Sequence, residues 1–183
     1  SAVEILAEVV AGAKAVVATG SCASFGGIPG ARPNPTAALG LRDILGGRAV
    51  INVPGCPAIP EVTTGTLVQV LLGELPELDA LGRPLTFYGT TIHGACERQG
   101  FFRREQFAQG FDDEAARAGW CLFQLGCKGP TTHNACPTRL WGDLSFPVQS
   151  GHPCLGCSEP GFWDEDLYPR RFRAYVPIAR SGG

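Results

Sequence analysis

Three cysteines near the end of the chain have the spacing of metal ligands. Cys154 and Cys157 form a C-x-x-C pair within "GHPCLGCSEPGFW", and Cys136 lies upstream in "HNACP". A C-x-x-C pair more often binds a metal or performs redox chemistry than forms a structural bridge. The segment therefore predicts a site with three thiolates, for which no fourth donor is obvious nearby.

A second set of possible ligands precedes the first. "IHGAC" contains His93 and Cys96, and "WCLFQLGC" contains Cys121 and Cys127. One imidazole and three thiolates make a complete four-ligand set for a metal centre.

Disulfides, zinc and iron-sulfur clusters are the three explanations for these residues. Disulfides fit the even total of eight cysteines, but they do not explain the ligand-like spacing of His93 from Cys96. A histidine with three cysteines is a common structural zinc set, so spacing alone leaves zinc and iron-sulfur open.

Aromatic side chains around the ligands favour iron-sulfur, since a hydrophobic shell limits solvent and helps to set a cluster potential. The alternative is that these aromatics form the core of a loop-rich half. They are Phe101, Phe102, Trp120, Phe123, Trp141, Phe146, Phe162 and Trp163.

The first half of the chain reads as alternating helices and strands. The spacing of apolar residues predicts helices in "AVEILAEVVAGAK", "TAALGLRDIL" and "EVTTGTLVQVLLGEL", while the short apolar runs "AVVAT" and "AVINV" predict buried parallel strands. The fold class is therefore α/β, with part of an open parallel sheet over residues 1–84.

Each predicted strand leads directly to a cysteine. "AVVATGSC" delivers Cys22 and "AVINVPGC" delivers Cys56. Ligands of open parallel sheets bind beyond the carboxyl ends of strands, so we expect both cysteines to face one site. The alternative is two unrelated loop thiols.

Residues 85–183 are predicted to form a second, loop-rich domain that binds metal clusters. Periodicity weakens there, apart from short helices predicted in "REQFAQGF" and "DEAARAG". The acidic residues of "FDDEAAR" fit helix capping better than metal binding. Metal staples would offset the weak packing of this half.

Several functions are excluded by what the sequence contains. The net charge of −2 and the scattered basic residues exclude a nucleic-acid partner. "GCKGPTT" has the wrong spacing for a P-loop, and Cys22 lies outside the papain-type motif. His133 and His152 lie close to cysteines but are not assigned as ligands.

Long ordered motifs identify the family that the chain resembles. The small, electron-transferring subunit of nickel-iron hydrogenases is similar from about residue 15 to 168. The motifs that carry this resemblance are "GSCASFGG", "NPT", "VPGCPAIPE", "IHGACERQGFF", "CLFQLGCKGPTTHNACPTRLW" and "SFPVQSGHPCLGCSEPGFWD".

The resemblance implies three clusters. Cys22 and Cys56 match two ligands of a proximal 4Fe-4S cluster. A distal 4Fe-4S cluster would be bound by His93, Cys96, Cys121 and Cys127. A medial 3Fe-4S cluster would be bound by Cys136, Cys154 and Cys157. Pro147 matches the place where a fourth medial thiolate would otherwise stand.

Two features depart from the full family pattern or refine it. The other two proximal ligands of the family come from a C-x-x-C in an N-terminal flavodoxin-like segment, which we expect this chain to lack. In oxygen-tolerant members an extra cysteine follows the first proximal motif, whereas Gly26 and Gly27 occupy that stretch here. We therefore expect a standard proximal cluster and sensitivity to oxygen.

The function implied is electron relay in a hydrogenase heterodimer. Hydrogen activation would take place on a nickel-iron large subunit, because the single C-x-x-C of this chain is already used. The electron acceptor would be a cytochrome or a quinone-linked subunit. The location would be the periplasm, peripheral to the cytoplasmic membrane, with the cytoplasm as the alternative.

Two rivals to this function remain. The first is a zinc-stapled interaction module without a redox role. The second is an iron-sulfur subunit of the respiratory complex I type, which would share the proximal region but lack the motifs from His93 onward.

Overall fold

The computed structural model describes residues 2–164. Its helices are α1 Ala2–Ala11, α2 Ser21–Phe25, α3 Leu41–Ile44, α4 Pro60–Leu71, α5 Leu85–Tyr88, α6 Gln99–Arg103, α7 Glu114–Arg117 and α8 Cys136–Arg139. The strands are β1 Val17–Thr19 and β2 Ile51–Val53. Short 3-10 helices cover Ile28–Gly30, His93–Ala95, Leu122–Leu125 and Gly129–Thr131.

The two strands form a parallel pair at the centre of the first half. Val17 pairs with Ile51 and Thr19 with Val53, so the strands run in register. Ala18 and Val53 are fully buried, as expected for short apolar strands covered on both faces. The predicted α/β class and both predicted strands are confirmed.

Two of the three helices predicted in the first half begin where the sequence predicts them. α1 is confirmed, and α4 begins at Pro60, where the fixed φ of proline suits a first helical turn. The helix predicted in "TAALGLRDIL" is wrong before Leu41, because Ala37 has a φ of 52°, which an α-helix excludes. α4 ends at Leu71 rather than Leu75.

In the second half, one predicted helix is confirmed and one is wrong. α7 begins after Asp113, whose side chain accepts a hydrogen bond from the Ala116 N–H at 2.6 Å, so the acidic run does cap a helix. "REQFAQGF" is not helical. Glu105 has a φ of 57°, and Phe107 instead forms a parallel bridge with Cys121. α6 ends earlier, at Arg103.

A single buried cluster joins the two halves of the described chain. Val53 and Val62 from the first half pack with Tyr88, Ile92 and Leu122 from the second. The Tyr88 hydroxyl also donates a hydrogen bond to the carbonyl of Pro54 at 2.7 Å. The domain boundary between residues 84 and 85 stays a prediction, and residues 165–183 of the second predicted domain lie outside the described residues.

Within residues 2–164, none of the helices combines the length and the apolar character needed to cross a bilayer.

Candidate metal centres

One predicted ligand set lines a single cavity, which we call the His93 cavity. All four predicted donors, one imidazole and three thiols, contribute to its wall. The lining residues are Ile92, His93, Cys96, Arg98, Cys121, Leu122, Phe123, Cys127, Gly129, Pro130 and Val148.

Short, irregular elements bring these four donors together. The 3-10 helix His93–Ala95 presents the imidazole and ends at Cys96. Cys121 is fixed by its N–H, which donates to the carbonyl of Gln106 at 3.1 Å. Gly126, with a φ of 91°, ends the next 3-10 helix in the left-handed region and turns the chain toward Cys127. The ligand set therefore depends on turns rather than on long helices.

The electrostatics of the His93 cavity suit metal coordination. Burial and the positive charge of Arg103 lower the pKa of His93, which favours the neutral imidazole that binds metals. Burial raises the pKa of Cys96, while the Arg98 N–H, 3.4 Å from the Cys96 sulfur, acts in the opposite direction. An N–H aimed at a sulfur stabilises the thiolate form that a metal requires.

Arg98 leaves an unpaired donor at this cavity. Its guanidinium is buried and donates through Nη1 to the carbonyl of Trp120 at 2.8 Å, but its Nε has no acceptor. A buried donor without a partner is costly, so an anionic group in the cavity would satisfy it.

Aromatic rings close the side of the His93 cavity. Phe102 packs edge-to-face on His93 with ring centroids 4.5 Å apart, and it contacts Phe123 in the same manner at 5.1 Å. The predicted hydrophobic shell is therefore present at this site, where it limits access of water to the donors.

The other predicted ligand set lines a second cavity, the Cys136 cavity. Its three cysteines and Pro147 all contribute to the wall, as do two residues of the predicted aromatic shell, Trp141 and Phe146. The lining residues are Ile92, Thr132, Asn134, Cys136, Trp141, Phe146, Pro147, Val148, Cys154, Leu155, Cys157 and Ser158.

Burial strongly perturbs the thiols of the Cys136 cavity. It raises the pKa of Cys136 to about 11 and the pKa values of Cys154 and Cys157 to about 12. Such thiols are protonated near neutral pH in the absence of a cation. Metal binding must therefore displace their protons, and it becomes more favourable as the pH rises.

Both cavities enclose atom-free space between their predicted donors. Each contains about 330 Å³ of atom-free space, part of it continuous with solvent. Among residues 2–164, no three His, Cys, Asp or Glu side chains converge closely enough to hold a single metal ion. The donors instead stand around the cavity walls, an arrangement that fits a cluster in which different metal atoms each bind one donor.

The two cavities share a wall, and hydrogen bonds link residues of one to residues of the other. Ile92 and Val148 line both of them. The Cys154 N–H, beside the Cys136 cavity, donates to the sulfur of Cys127 in the His93 cavity at 3.3 Å. In return, the Lys128 N–H donates to the carbonyl of Cys154 at 2.9 Å. A ligand of one site is thus hydrogen bonded to a ligand of the other.

The loops that carry Cys22 and Cys56 also meet each other. Ser21 binds Gly55 twice, by its N–H to the Gly55 carbonyl and by its hydroxyl oxygen to the Gly55 N–H, each at 2.9 Å. The Ser21 hydroxyl donates to the carbonyl of Cys157. The Cys56 N–H lies against the Cys157 sulfur and favours its thiolate. The two loops therefore adjoin the Cys136 cavity, while a shared site for Cys22 and Cys56 stays a prediction.

Gly27 lies so close to Cys22 that a side chain at position 27 would not fit. Its φ is 57°, and a Cβ atom placed there would lie 2.6 Å from the Cys22 sulfur. A larger residue at this position would have to shift the loop, so glycine fits the compact turn after β1.

All eight cysteines are free thiols, which is contrary to the disulfide explanation. The two unassigned histidines face elsewhere. The Nδ1 atom of His133 lies 3.5 Å from the Glu159 carboxylate, and that of His152 lies 2.8 Å from the Pro153 carbonyl oxygen. Neither ring lines either cavity.

Sequence reasoning missed several residues that position the donors. Ser21, Arg98, Thr132 and Ser158 are buried polar residues at the sites. Their only signal in the sequence is a position close to a predicted ligand, and that signal does not distinguish a buried polar group from an exposed one.

Replacing Ser21 by alanine is expected to loosen the contact between the Cys22 loop, the Cys56 loop and Cys157. The Gly55 N–H and the Cys157 carbonyl would lose their shared hydroxyl partner, at a cost of about 1–3 kcal/mol for unsatisfied buried groups. Hydrogen-deuterium exchange of the peptide containing Gly55 should become faster. Ser150→Ala is the control, because the hydroxyl of Ser150 makes a solvent-exposed hydrogen bond to the Ser145 hydroxyl at 2.9 Å. Equal exchange in both variants would contradict the positioning role of Ser21.

The fold and these cavities define a class: an α/β unit joined to a loop-rich half that holds two adjacent sets of predicted metal donors. Comparisons with known proteins agree. The family model for the C-terminal part of the NiFe/NiFeSe hydrogenase small subunit matches residues 88–168, and the model for the NADH ubiquinone oxidoreductase 20 Kd subunit matches residues 1–70.

Individual relatives extend this result over most of the chain. The Hydrogenase-1 small chain of Citrobacter freundii is 52% identical over 163 residues, which are 88% of this chain and 44% of the relative. The uptake hydrogenase small subunit of Azotobacter vinelandii is 50% identical over 171 residues, 92% of this chain and 48% of the relative.

The structure resembles solved hydrogenases as well. The [NiFeSe] hydrogenase of Desulfovibrio vulgaris Hildenborough aligns with a TM-score of 0.82 and 35% identity, covering 94% of this chain and 65% of that chain. The chain belongs to the small-subunit family of nickel-iron hydrogenases. It spans about half the length of the curated relatives it matches.

Proposed function

We propose that this chain is the electron-relay small subunit of a nickel-iron uptake hydrogenase. In this proposal the His93 cavity holds a distal 4Fe-4S cluster, and the Cys136 cavity holds a medial 3Fe-4S cluster. Cys22 and Cys56 supply two ligands of a proximal 4Fe-4S cluster, whose other two donors we assign to the N-terminal C-x-x-C of the family.

The continuity of the three predicted ligand sets is the observation that carries this proposal. The Cys56 N–H lies against the sulfur of Cys157, and Cys157 lines the same cavity as Cys154. The Cys154 N–H then donates to Cys127 at 3.3 Å. Three sets of donors are thus linked in one row by contacts between their own ligands, which is the arrangement that a relay requires.

The clusters, when bound, accept and release single electrons. The protein holds them with thiolates and one imidazole, excludes water with Phe102, Phe123 and Phe146, and aims N–H groups at sulfurs. His93 is neutral, whereas a thiolate in its place would be anionic. A neutral ligand makes a cluster less negative in potential, which suits the end of a relay.

The Cys136 set supports a cluster with three irons rather than four. Three thiols and Pro147 line its cavity, and proline has no side-chain donor for a fourth iron. The missing donor is what an incomplete cubane needs, so the composition of this cavity supports the medial 3Fe-4S assignment.

The partner in the proposed enzyme is a nickel-iron large subunit that activates hydrogen, and the acceptor is a cytochrome or quinone-linked subunit. Exposed leucines on and after α4 support a protein partner: Leu71 is 84% exposed and Leu75 is 73% exposed. Large apolar side chains exposed together are typical of interaction surfaces. We place the enzyme in the periplasm, peripheral to the cytoplasmic membrane, with the cytoplasm as the alternative.

Metal analysis of the assembled heterodimer tests this function. We expect acid-labile sulfide that matches two four-iron clusters and one three-iron cluster, and iron that matches these clusters plus the iron of the nickel-iron partner, together with an EPR signal from an oxidised three-iron centre. Brown protein with this signal supports the relay. Colourless protein with stoichiometric zinc would establish the zinc-stapled module instead.

A further inference from the structure

Trp141 has a polar atom that no acceptor satisfies. Its indole Nε1 is shielded from solvent, yet it has no hydrogen-bond partner among the described residues. Buried indole N–H groups usually find a partner, because an unsatisfied buried donor costs about 1–3 kcal/mol. The side chain lines the Cys136 cavity, so the unsatisfied donor belongs to a residue of that site.

The Trp141 indole lies beside the thiol of Cys136. The Trp141 N–H acts on this thiol and favours its thiolate form, although burial, the larger cause, leaves the pKa of Cys136 raised. The indole N–H is close enough to the Cys136 sulfur to act on it but makes no hydrogen bond to it, so the donor remains unsatisfied. A cluster bound by Cys136 would bring both thiolate and sulfide acceptors to this side of the cavity.

The backbone holds Trp141 toward the cavity at a conformational cost. Leu140, which follows α8, has a φ of 51° and a ψ of 175°. This region is nearly restricted to glycine and costs of order 1–3 kcal/mol for other residues. The backbone N–H of Trp141, as distinct from its indole N–H, then donates to the carbonyl of Ser145 at 2.8 Å and closes the turn. A strained residue thus separates a predicted ligand from the indole, which is typical of functional sites.

We propose that the Trp141 indole N–H donates a hydrogen bond to a sulfur of the cluster in the Cys136 cavity and thereby raises its reduction potential. Trp141 is a positioning residue, because it binds no metal itself. Reduction adds negative charge to a cluster, and an N–H dipole aimed at a sulfur stabilises that charge. Loss of the N–H should therefore make the potential more negative. This inference rests on the proposed function.

Isotope labelling of the assembled hydrogenase tests the contact without a mutation. The chain has three tryptophans, and Trp141 lines the Cys136 cavity. With ¹⁵N-indole tryptophan in the small subunit alone, pulsed EPR of the three-iron signal should show a ¹⁵N coupling and an exchangeable proton. Absence of both from a protein that shows the signal would overturn the proposal.

Trp141→Phe then tests the effect on potential. This change removes the N–H and keeps an aromatic ring, so the ¹⁵N coupling should vanish and the potential of the three-iron signal should fall. Trp163→Phe is the matched control. Trp163 packs edge-to-face on Phe162 with centroids 5.1 Å apart and lines neither cavity, so both readouts should stay unchanged.

The two proposals fail in different ways. Zinc in place of iron would overturn the relay itself. Iron with a three-iron signal, but with an unchanged potential in Trp141→Phe, would overturn only the role of Trp141. If Trp141→Phe does not assemble, the coupling measured on the labelled unmutated protein decides.

Discussion

Replacing Pro147 by cysteine is expected to convert the centre in the Cys136 cavity from three irons to four. Pro147 lines this cavity together with the three cysteines, so a thiolate at position 147 would supply the fourth donor. The Pro147 carbonyl accepts a hydrogen bond from the His152 N–H at 2.8 Å, which a cysteine backbone can equally accept. The substitution therefore adds a ligand without removing a backbone contact.

EPR and metal analysis measure this conversion. The signal of the oxidised three-iron centre should disappear, and iron should rise by about one atom per chain. The added anionic thiolate should also make the potential of the centre more negative, since net charge is one of the factors that set it. Electron transfer through the row would become less favourable at that step.

Pro137→Cys is the control for this change. Pro137 lies next to Cys136 at the start of α8 but is not part of the cavity wall. Its replacement adds a thiol near the site and should leave the three-iron signal intact. A Pro147→Cys protein that retains the three-iron signal at full intensity would contradict the assignment of the cavity.

The features that could be predicted from the sequence depend on local patterns. β1 and β2 follow from short apolar runs, and α1 from apolar residues at helical spacing. Grouping the cysteines by their spacing also anticipates which donors the structure brings to each cavity. That these donors bind clusters stays a prediction.

The features that were missed depend on backbone conformations that few sequence signals reveal. Ala37 and Glu105 adopt positive φ values without being glycine, and each is incompatible with a predicted helix. Packing and hydrogen bonds elsewhere in the fold override local preference at such positions. The strained conformation of Leu140, which directs Trp141 toward the Cys136 cavity, could not be predicted for the same reason.

Contacts between distant segments were equally invisible to sequence reasoning. The hydroxyl of Ser21 reaches the carbonyl of Cys157, 136 residues away along the chain. The link between Cys154 and Cys127 is a backbone N–H to sulfur contact, which leaves no mark on residue type. The candidate donors can therefore be predicted from the sequence, but the contacts that link them depend on the fold.

Loss of Arg83 should destabilise this fold strongly. It is 3% exposed and pairs with Asp79 at 2.7 Å and with Glu159 at 2.8 Å. It also donates to the carbonyl of Ser158 at 3.1 Å and lies over the ring of Tyr88. Asp79 belongs to the first half, whereas Ser158 and Glu159 directly follow the C-x-x-C pair. Arg83 thus anchors the loop that carries Cys154 and Cys157 to the rest of the chain.

Arg83→Met is expected to cost about 3–5 kcal/mol, because it removes a buried cation from two largely buried carboxylates, which are 18% and 12% exposed. For a chain of this size the loss corresponds to a fall of about 6–20 °C in the melting temperature. Differential scanning calorimetry of the assembled protein measures it. Arg103→Met is the matched control, since Arg103 makes an exposed hydrogen bond to Gln99 at 2.8 Å and surface pairs contribute about 0–1 kcal/mol.

Arg83→Met should also weaken metal binding in the Cys136 cavity, because Glu159 contacts both Arg83 and the segment at His133. The Glu159 carboxylate also accepts a hydrogen bond from the His133 N–H at 2.6 Å, and the Ser158 hydroxyl donates to the His133 carbonyl at 2.8 Å. Without Arg83, the charge of Glu159 draws the segment after Cys157 toward water. Iron should therefore be lost first from the Cys136 cavity on warming, with the three-iron EPR signal falling before the four-iron signals. Simultaneous loss of all signals would show that the ion pairs stabilise the whole fold without anchoring this loop in particular.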